Sequence, residues 1–337
     1  YAGIDVLLPT AGVPSLLLIG RGFGRTARRL AAEGATAAAT HVVASYGRLG
    51  TEFVVSGCAV VVPNTVISCP VPAGIGAGHV WTVAVDGWSI VTTAKTGFLP
   101  PVITAVYRTG TTPGNATQQT LSTRGGQSIT LEGTNCGAVG TQVQLTYAST
   151  TYAGTTYTTV DCKVAAPGHA VVMCNSTVGV GGSLGYTIAL GAQTSPLFTA
   201  TTLRYETPVI TRVAAPLLAT EGGERNVIVV NGTGFGPASL TSTTVYYSMD
   251  GNFSVSYYPV FTATSCFVPA ATPHTSIICT SAAGIGSALR VLVVVAGQSS
   301  VVSSPAQVLA YRVPIITGIS GLGASGASTE GGQDIMI

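Results

Sequence analysis

Six of the seven cysteines fall into three pairs that recur at a fixed interval. Cys58 and Cys69 lie in "GCAVVVPNTVISCPVPAGIGAG", Cys162 and Cys174 in "DCKVAAPGHAVVMCNSTVGVGG", and Cys266 and Cys279 in "SCFVPAATPHTSIICTSAAGIGSA". The first cysteines of successive pairs are 104 residues apart and the second cysteines 105 apart. A period held this closely marks three copies of one unit, so whatever the chain builds, it builds in about 105 residues and repeats.

Other landmarks keep the period. The unit boundaries read "FLPPVITAV" (98–106), "YETPVITRV" (205–213) and "YRVPIITGI" (311–319). An aromatic stands three residues before the boundary proline each time: Phe98 before Pro101, Tyr205 before Pro208, Tyr311 before Pro314. Glycine pairs follow at Gly125-Gly126, Gly222-Gly223 and Gly331-Gly332. An apolar strand then runs into a Gly-x-x-[Phe/Cys]-Gly turn, "IGRGFG" (19–24), "EGTNCG" (132–137) and "NGTGFG" (231–236). Behind the second cysteine comes another strand, "HVWTVAVDG" (79–87), "GYTIALGAQ" (185–193) and "LRVLVVVAGQ" (289–298). The units are residues 1–99, 100–206 and 207–312, the first without a "PVIT" entry segment; residues 313–337 are the start of a fourth unit or a docking strand.

Within a unit the pattern is that of strands. In "TQVQLTYAS" the residues Val143, Leu145 and Tyr147 share one face and polar residues fill the other. Forty-three glycines and 18 prolines punctuate short Val- and Thr-rich segments, which favours all-β structure. Six or seven short strands in about 100 residues predict an antiparallel β-sandwich of immunoglobulin type, without the buried tryptophan of antibody domains. The single helix-like stretch is "RTARRLAAEGA" (25–35).

The entry "PVIT", the Gly-Gly strand, the "NGTGFG" turn and the cysteine segment closing on "CTSAAGIG" resemble the IPT/TIG family of immunoglobulin-like domains, and the cysteine segment is similar to that of its plexin-type members. The resemblance covers essentially the whole chain. It implies tandem immunoglobulin-like sandwiches and leaves several roles open, since the family includes receptors, giant surface proteins, accessory modules of carbohydrate enzymes and DNA-binding transcription factors. The basic DNA-contact loops of that last group have no counterpart here.

Charge narrows the classes. Only 8% of the residues are charged, against roughly 25% in ordinary soluble proteins, and the net charge is +2. That excludes a nucleic-acid footprint, which needs clustered Lys and Arg. The longest apolar runs, "RVLVVVAG" (290–297) and "SLLLIG" (15–20), fall well short of the ~20 residues of a membrane helix. A surface so poor in charge calls for attached glycans or burial against neighbouring subunits. Four of the seven asparagines stand in N-x-S/T sequons: Asn115, Asn175, Asn231 and Asn252. Asn231 and Asn252 are also plain turn formers.

The cysteine pairs read as disulfides Cys58–Cys69, Cys162–Cys174 and Cys266–Cys279, because C-x-x-C spacing and His at ligand intervals are lacking for a metal site. Disulfides imply an oxidising compartment, outside the cell, at its surface or in a periplasm, and the cell surface or exterior is the expected location. Cys136 occupies the position of Phe23 and Phe235, as a buried thiol or a bond between chains. "GRGFGRTARR" (20–29), with Arg21, Arg25, Arg28 and Arg29, resembles a phosphate loop only superficially, since the same turn recurs without arginines in "NGTGFGP". His169 and His274 both lie between paired cysteines, which suggests a loop role; His41 and His79 stand elsewhere. The 12 carboxylates are scattered with no triad, metalloprotease or paired-carboxylate pattern, and "SMDGNFS" (248–254) is too poor in carboxylates for a calcium site. No enzyme activity, cofactor or metal is expected.

Proline at each joint and the absence of flexible linkers predict a semi-rigid rod reaching roughly 100 Å or more. The expected role is a structural subunit of an extracellular filament or appendage that assembles with itself head to tail; the alternative is an adhesin or receptor ectodomain that binds a protein or glycan. The segment 313–337 repeats the entry strand "PIITGI" and the Gly-Gly strand "STEGGQDIMI", after which either the array continues or the tail docks on a neighbour. Docking would engage Pro314, Ile315, Ile316, Ile335 and Ile337 against residues 1–20 of the next subunit, where the first unit lacks its entry strand. The first unit's own "SLLLIG" would make half of that tail redundant.

Overall fold

The computed structural model describes residues 6–25, 40–112, 114–115, 119–152, 154, 156–239, 242–254 and 258–337. Among these there are 27 β-strands and no α-helix. The helix-like stretch 25–35 lies, beyond Arg25, outside the described residues. The chain divides into two compact units, Tyr1–Glu206 and Thr207–Ile337.

The second unit shows the repeat most plainly. Its strands are β19 (Val209–Ala214), β20 (Gly223–Thr233), β21 (Thr243–Ser248), β22 (Phe261–Thr262), β23 (Thr264–Phe267), β24 (Ser276–Ser281), β25 (Leu289–Val295), β26 (Gln298–Ser299) and β27 (Val308–Leu309). One sheet runs β19-β20-β24-β23, the other β22-β21-β25-β26 with β27 beside β25. In chain order these are strands A, B, E, D against C′, C, F, G, the immunoglobulin sandwich arrangement. Alternation decides which faces meet: in β25 Leu289, Val291, Val293 and Val295 are buried and the residues between them are half-buried.

The first unit holds two more sandwiches. The later one comprises β10 (Val102–Arg108), β11 (Thr120–Leu121), β12 (Ser128–Thr134), β13 (Gln142–Ser149), β14 (Thr156–Ala165), β15 (Val171–Asn175), β16 (Leu184–Leu190), β17 (Gln193–Thr194) and β18 (Arg204–Tyr205). Here β14 is one ten-residue strand that pairs with β13 at its start and β15 at its end, so both layers join as β10-β12-β15-β14-β13-β16-β17. The earlier sandwich has β1 (Val6–Leu8), β2 (Val13–Ile19), β3 (Val42–Gly47), β4 (Phe53–Val55), β5 (Ala59–Val62), β6 (Val66–Val71), β7 (Ala77–Val85), β8 (Trp88–Val91) and β9 (Thr96–Phe98). Its layers are β2-β6-β5 and β1-β9-β7-β3-β4 with β8 on β7.

A parallel pairing recurs near the end of every sandwich: β1 with β9, β11 with β18, and the bridge Leu218 to Tyr311. The chain is thus an all-β tandem of three immunoglobulin-like sandwiches. The buried tryptophan, Trp81, sits on β7 and stacks on Tyr46, ring centroids 4.9 Å apart, which is not the strand C position of antibody domains. The segment 313–319, expected as a strand, forms none, because a strand without a partner strand has no hydrogen bonds to hold it; behind it a bridge between Ser320 and Met336 and the Gly323 N–H on the Asp334 carbonyl tie the last residues into a turn.

Candidate assembly surface

Three local devices give every sandwich the same frame. The first is the Gly-x-x-[Phe/Cys]-Gly turn. A Cβ at Gly20 would lie 2.4 Å from Cζ of Phe23, and one at Gly232 would lie 2.6 Å from Cζ of Phe235, so only glycine lets the ring lie across the backbone. The loop between the paired cysteines locks this turn through one left-handed residue, Asn64 (φ 60°), His169 (φ 58°) or His274 (φ 68°). Its N–H donates to the turn's last glycine, Gly24, Gly137 or Gly236, at 2.7–2.8 Å, and its carbonyl accepts from the N–H of Phe23, Cys136 or Phe235. The two histidines therefore serve this loop through their backbone. Cys136, in place of the ring, is buried and in no disulfide; its thiol donates to the Thr134 carbonyl (3.6 Å), and burial pushes its pKa up to about 11. It is a small protonated apolar group, out of reach of another chain's thiol.

The second device sits under the boundary aromatic. Phe98, Tyr205 and Tyr311 are all buried. Each covers a glycine where a Cβ would come within 2.4–2.8 Å of the ring: Gly74, Gly179 and Gly284. In the second sandwich a closed ring of hydrogen bonds forms. The Thr177 N–H donates to the Tyr147 hydroxyl (3.0 Å), Tyr147 to Tyr205 (2.8 Å), and Tyr205 back to the Thr177 carbonyl (2.8 Å). The third sandwich repeats it with Ala282, Tyr247 and Tyr311 at 2.8–2.9 Å. Burial holds the Tyr205 and Tyr311 hydroxyls well above the usual tyrosine range, so the rings stay protonated. In the first sandwich the corresponding residues are Pro72, which has no N–H, and Phe98, which has no hydroxyl; donor and acceptor are lost together.

The third device is the disulfide. Cys58–Cys69, Cys162–Cys174 and Cys266–Cys279 are bonded, with Cα atoms 4.1–4.2 Å apart. Each bond staples strand E to the segment just before or within strand D of the same sheet, unlike the sheet-to-sheet bond of antibody domains.

Against this common frame, the first sandwich differs at one edge. In the others strand A covers strand B: β10 pairs with β12, and β19 with β20. Among the described residues, β2 pairs with β6 alone. The register proves the equivalence, since Leu16, Ile129 and Ile228 all stand opposite the second cysteine of their pair. Ile129 and Leu131 are 0% and 1% exposed, Ile228 and Val230 0%, whereas Leu16 and Leu18 are only half-buried. Along the same edge Leu17 is 55% and Ile19 82% exposed. A groove of about 540 Å³ opens there, walled by Leu16, Leu18, Phe23, Trp81, Val83 and Ile90. Arg21 and Lys95 are its charged residues.

The remaining sequence-singled residues are dispersed. Asn115, Asn175 and Asn252 are exposed; Asn231 is half-buried inside β20 with strands on both sides. Arg21 and Arg25 are exposed, while Arg28 and Arg29 lie outside the described residues. His41 is exposed; His79 is buried among Tyr46, Phe53 and Phe98, and that burial lowers its pKa. Among the described residues no three His, Cys, Asp or Glu side chains gather to hold a metal, and no helix is long and apolar enough to cross a membrane. Of the docking residues, Ile315, Ile316, Ile335 and Ile337 are 81%, 65%, 55% and 81% exposed, and Pro314 is exposed as well.

The joint between the first two sandwiches is built like a core, a feature the sequence reading missed. Buried Gln193 accepts from the Gly76 N–H (3.2 Å) and donates to the Phe98 carbonyl (2.8 Å). Ile75 packs against the second sandwich's core, and Thr10 Oγ1 meets His169 Nδ1 at 2.9 Å. The glutamine carries no motif, so nothing in the chain's pattern marks it.

No family model and no curated protein matches the chain. Solved structures with similar strand arrangement include the plexin A4 extracellular region (16% identity, TM-score 0.24, covering 84% of this chain and 21% of that one). A three-domain tandem of titin (I9–I11; 12% identity, TM-score 0.23, covering 81% and 89%) and invasin, a bacterial integrin-binding protein (13% identity, TM-score 0.23, covering 94% and 60%), are also similar. The chain spans about a fifth of the plexin region it matches.

Proposed function

We propose that this chain is a structural part of an extracellular array of IPT/TIG-type immunoglobulin-like sandwiches that assembles with itself into a filament or surface appendage. The observation that carries this is the Gln193 joint: a seam whose buried amide both donates and accepts across it is stiff, which an element under tension needs. The IPT/TIG reading is supported by the recurring "PVIT", Gly-x-x-[Phe/Cys]-Gly and cysteine segments. Three disulfides belong to an oxidising compartment, so the protein works outside the cell or on its surface. Glycans on exposed Asn115, Asn175 and Asn252 would supply the solubility that 8% charge does not; half-buried Asn231 is the poorest acceptor. The protein is read as having no catalytic role.

An adhesive role is the second reading, favoured by Trp88, which stands 86% exposed on β8 beside exposed Ile90 and Val91. Such a ring offers a stacking platform for a sugar or a partner's apolar side chain. Negative-stain electron microscopy of purified protein separates the two. Regular fibres support the structural array; isolated particles at all concentrations overturn it and leave adhesion. An unchanged mass after N-glycosidase treatment removes the glycan claim.

A further inference from the structure

One core position departs from the frame that the three sandwiches share. In the second and third sandwiches the glycine under the boundary aromatic is followed in the same register by a buried leucine, Leu184 after Gly179 and Leu289 after Gly284, 1% and 0% exposed. After Gly74 the first sandwich has His79 at that place, 4% exposed. Packing alone asks for the leucine. We infer that His79 is an acid-sensitive latch of the seam between the first and second sandwiches: a neutral imidazole holds the seam shut and a protonated one releases it. The inference builds on the structural reading above and puts its stiff seam under the control of pH.

The latch follows from what the ring touches. His79 Nε2 lies 3.3 Å from the Ile75 carbonyl, which can only accept, so Nε2 carries the hydrogen of the neutral ring. The ring meets that of Phe98 edge to face, centroids 5.8 Å apart. Ile75, Gly76 and Phe98 are also the first sandwich's side of the seam. Ile75 packs against the second sandwich's core, the Gly76 N–H donates to Gln193 Oε1, and the Phe98 carbonyl accepts from Gln193 Nε2. Gly76 lies between the ring and the second sandwich: a Cβ there would be 3.5 Å from His79 Nε2 and 3.1 Å from the Gly191 carbonyl oxygen. A Cβ on Gly137 would stand 2.8 Å from Cγ2 of Ile75, so the two sandwiches meet with no room to spare.

Nδ1 is where the proton must go. It is buried and has no hydrogen-bond partner among the described residues. Protonation there puts a charged donor among Tyr46, Phe53 and Phe98 with nothing to accept from it. Burial accordingly lowers the pKa of this histidine; the Ile75 bond and the Glu52 carboxylate favour the charged ring, Arg48 opposes it, and burial outweighs the rest. The other neighbours bring no counter-charge. Tyr46 on β3 is kept protonated by burial, Thr96 on β9 and Gln193 are uncharged, and His169 of the second sandwich meets Thr10 Oγ1. The acceptor that a protonated Nδ1 needs is water. Water gains access when Ile75, Gly76 and the Phe98 ring draw away, and these are the groups that grip the second sandwich. With the seam open, His79 titrates near its ordinary value of about 6.5, and with the seam closed it titrates lower. Above about pH 6.5 the open form therefore gains nothing, and one unit below that it gains up to about tenfold over the closed form.

Hydrogen exchange of the full chain, at about pH 7.5 and about pH 5.5, tests this when read as protection factors, which remove the intrinsic pH dependence of exchange. The Gly76 amide should lose up to about tenfold in protection at the lower pH, and it should stay less protected than the amides of β3, because the seam opens without unfolding the sandwich. His79→Leu, which installs the residue of the sister sandwiches, should abolish the pH response. Gln193→Ala should lower Gly76 protection about tenfold at both pH values, which ties the readout to this seam. Protection at Gly76 that does not fall at the lower pH, that falls as far in His79→Leu, or that equals the protection of β3 throughout overturns the latch and leaves the stiff seam standing. A Gly76 amide already unprotected at the higher pH, or unmoved by Gln193→Ala, overturns the stiff seam as well.

Discussion

The first and second sandwiches place the same positions in different surroundings. In the second, strand A seals the edge, Ile129 and Leu131 vanish from solvent, and two tyrosine hydroxyls clasp the backbone of Thr177. In the first, Leu16 and Leu18 remain half in water, and Phe98 covers Gly74 by packing alone, with Pro72 offering no donor. The comparison separates two sources of stability that usually coincide. Burial depends on a neighbouring strand, which can come from another molecule; the hydrogen-bonded clasp depends on two side chains and one peptide, and needs no partner.

The largest test of this contrast is truncation in strand B. Ile129→Ala should cost the second sandwich about 2–5 kcal/mol, and Leu16→Ala in the isolated chain distinctly less, because water already reaches Leu16. Hydrogen exchange read separately on peptides of each sandwich checks both, since a multi-sandwich chain has no single unfolding free energy. Equal losses would mean the β2 edge is sealed in solution.

Removing the staple comes next. Cys162→Ser with Cys174→Ser opens a loop of about a dozen residues and should lower the second sandwich by about 3 kcal/mol, seen as faster exchange in β14 and β15. A smaller effect follows from Tyr205→Phe, which leaves the Thr177 carbonyl and the Tyr147 hydroxyl short of a partner: about 1–3 kcal/mol. The reciprocal Phe98→Tyr should bring no gain, because Pro72 cannot complete the ring. A stabilised Phe98→Tyr variant by the same exchange measurement would show that the clasp does not depend on that N–H.

The smallest effect is on pH. Burial disfavours the charged form of His79, so the native imidazole resists protonation that the unfolded chain accepts below its ordinary value near 6.5. The first sandwich therefore keeps its full stability above about pH 6.5 and loses part of it as pH falls below that value. His79→Phe should flatten this slope in first-sandwich peptides; an unchanged slope would assign the acid sensitivity elsewhere.

Much of this architecture was legible because repetition makes each position testable against two others. The cysteine spacing, the boundary aromatics and the Gly-x-x-[Phe/Cys]-Gly turns were readable as words. Gly12 was not: it is the counterpart of Gly125 and Gly222, packed where a Cβ would strike the Val71 carbonyl at 2.3 Å, but its second glycine is replaced by Val13 and the word is lost. The left-handed histidines showed only as residues between cysteines, since a backbone angle leaves no mark in composition. The segment 313–319 read as a strand because its letters are those of strand A, and local letters cannot supply the neighbour that strand needs.

By itself the sequence determined the period, the class of fold, the cysteine partners and the places where only glycine or an aromatic fits, because these depend on local spacing and on side-chain chemistry within one unit. The tertiary structure alone decided that Gln193 welds two sandwiches, that tyrosines 147 and 205 close a ring through Thr177, and that among the described residues β2 has a strand on one side. Each of these joins groups from 28 to 117 residues apart or turns on which strand lies beside which, and hydrogen bonding across such distances follows from three-dimensional placement, which no short stretch of residues encodes.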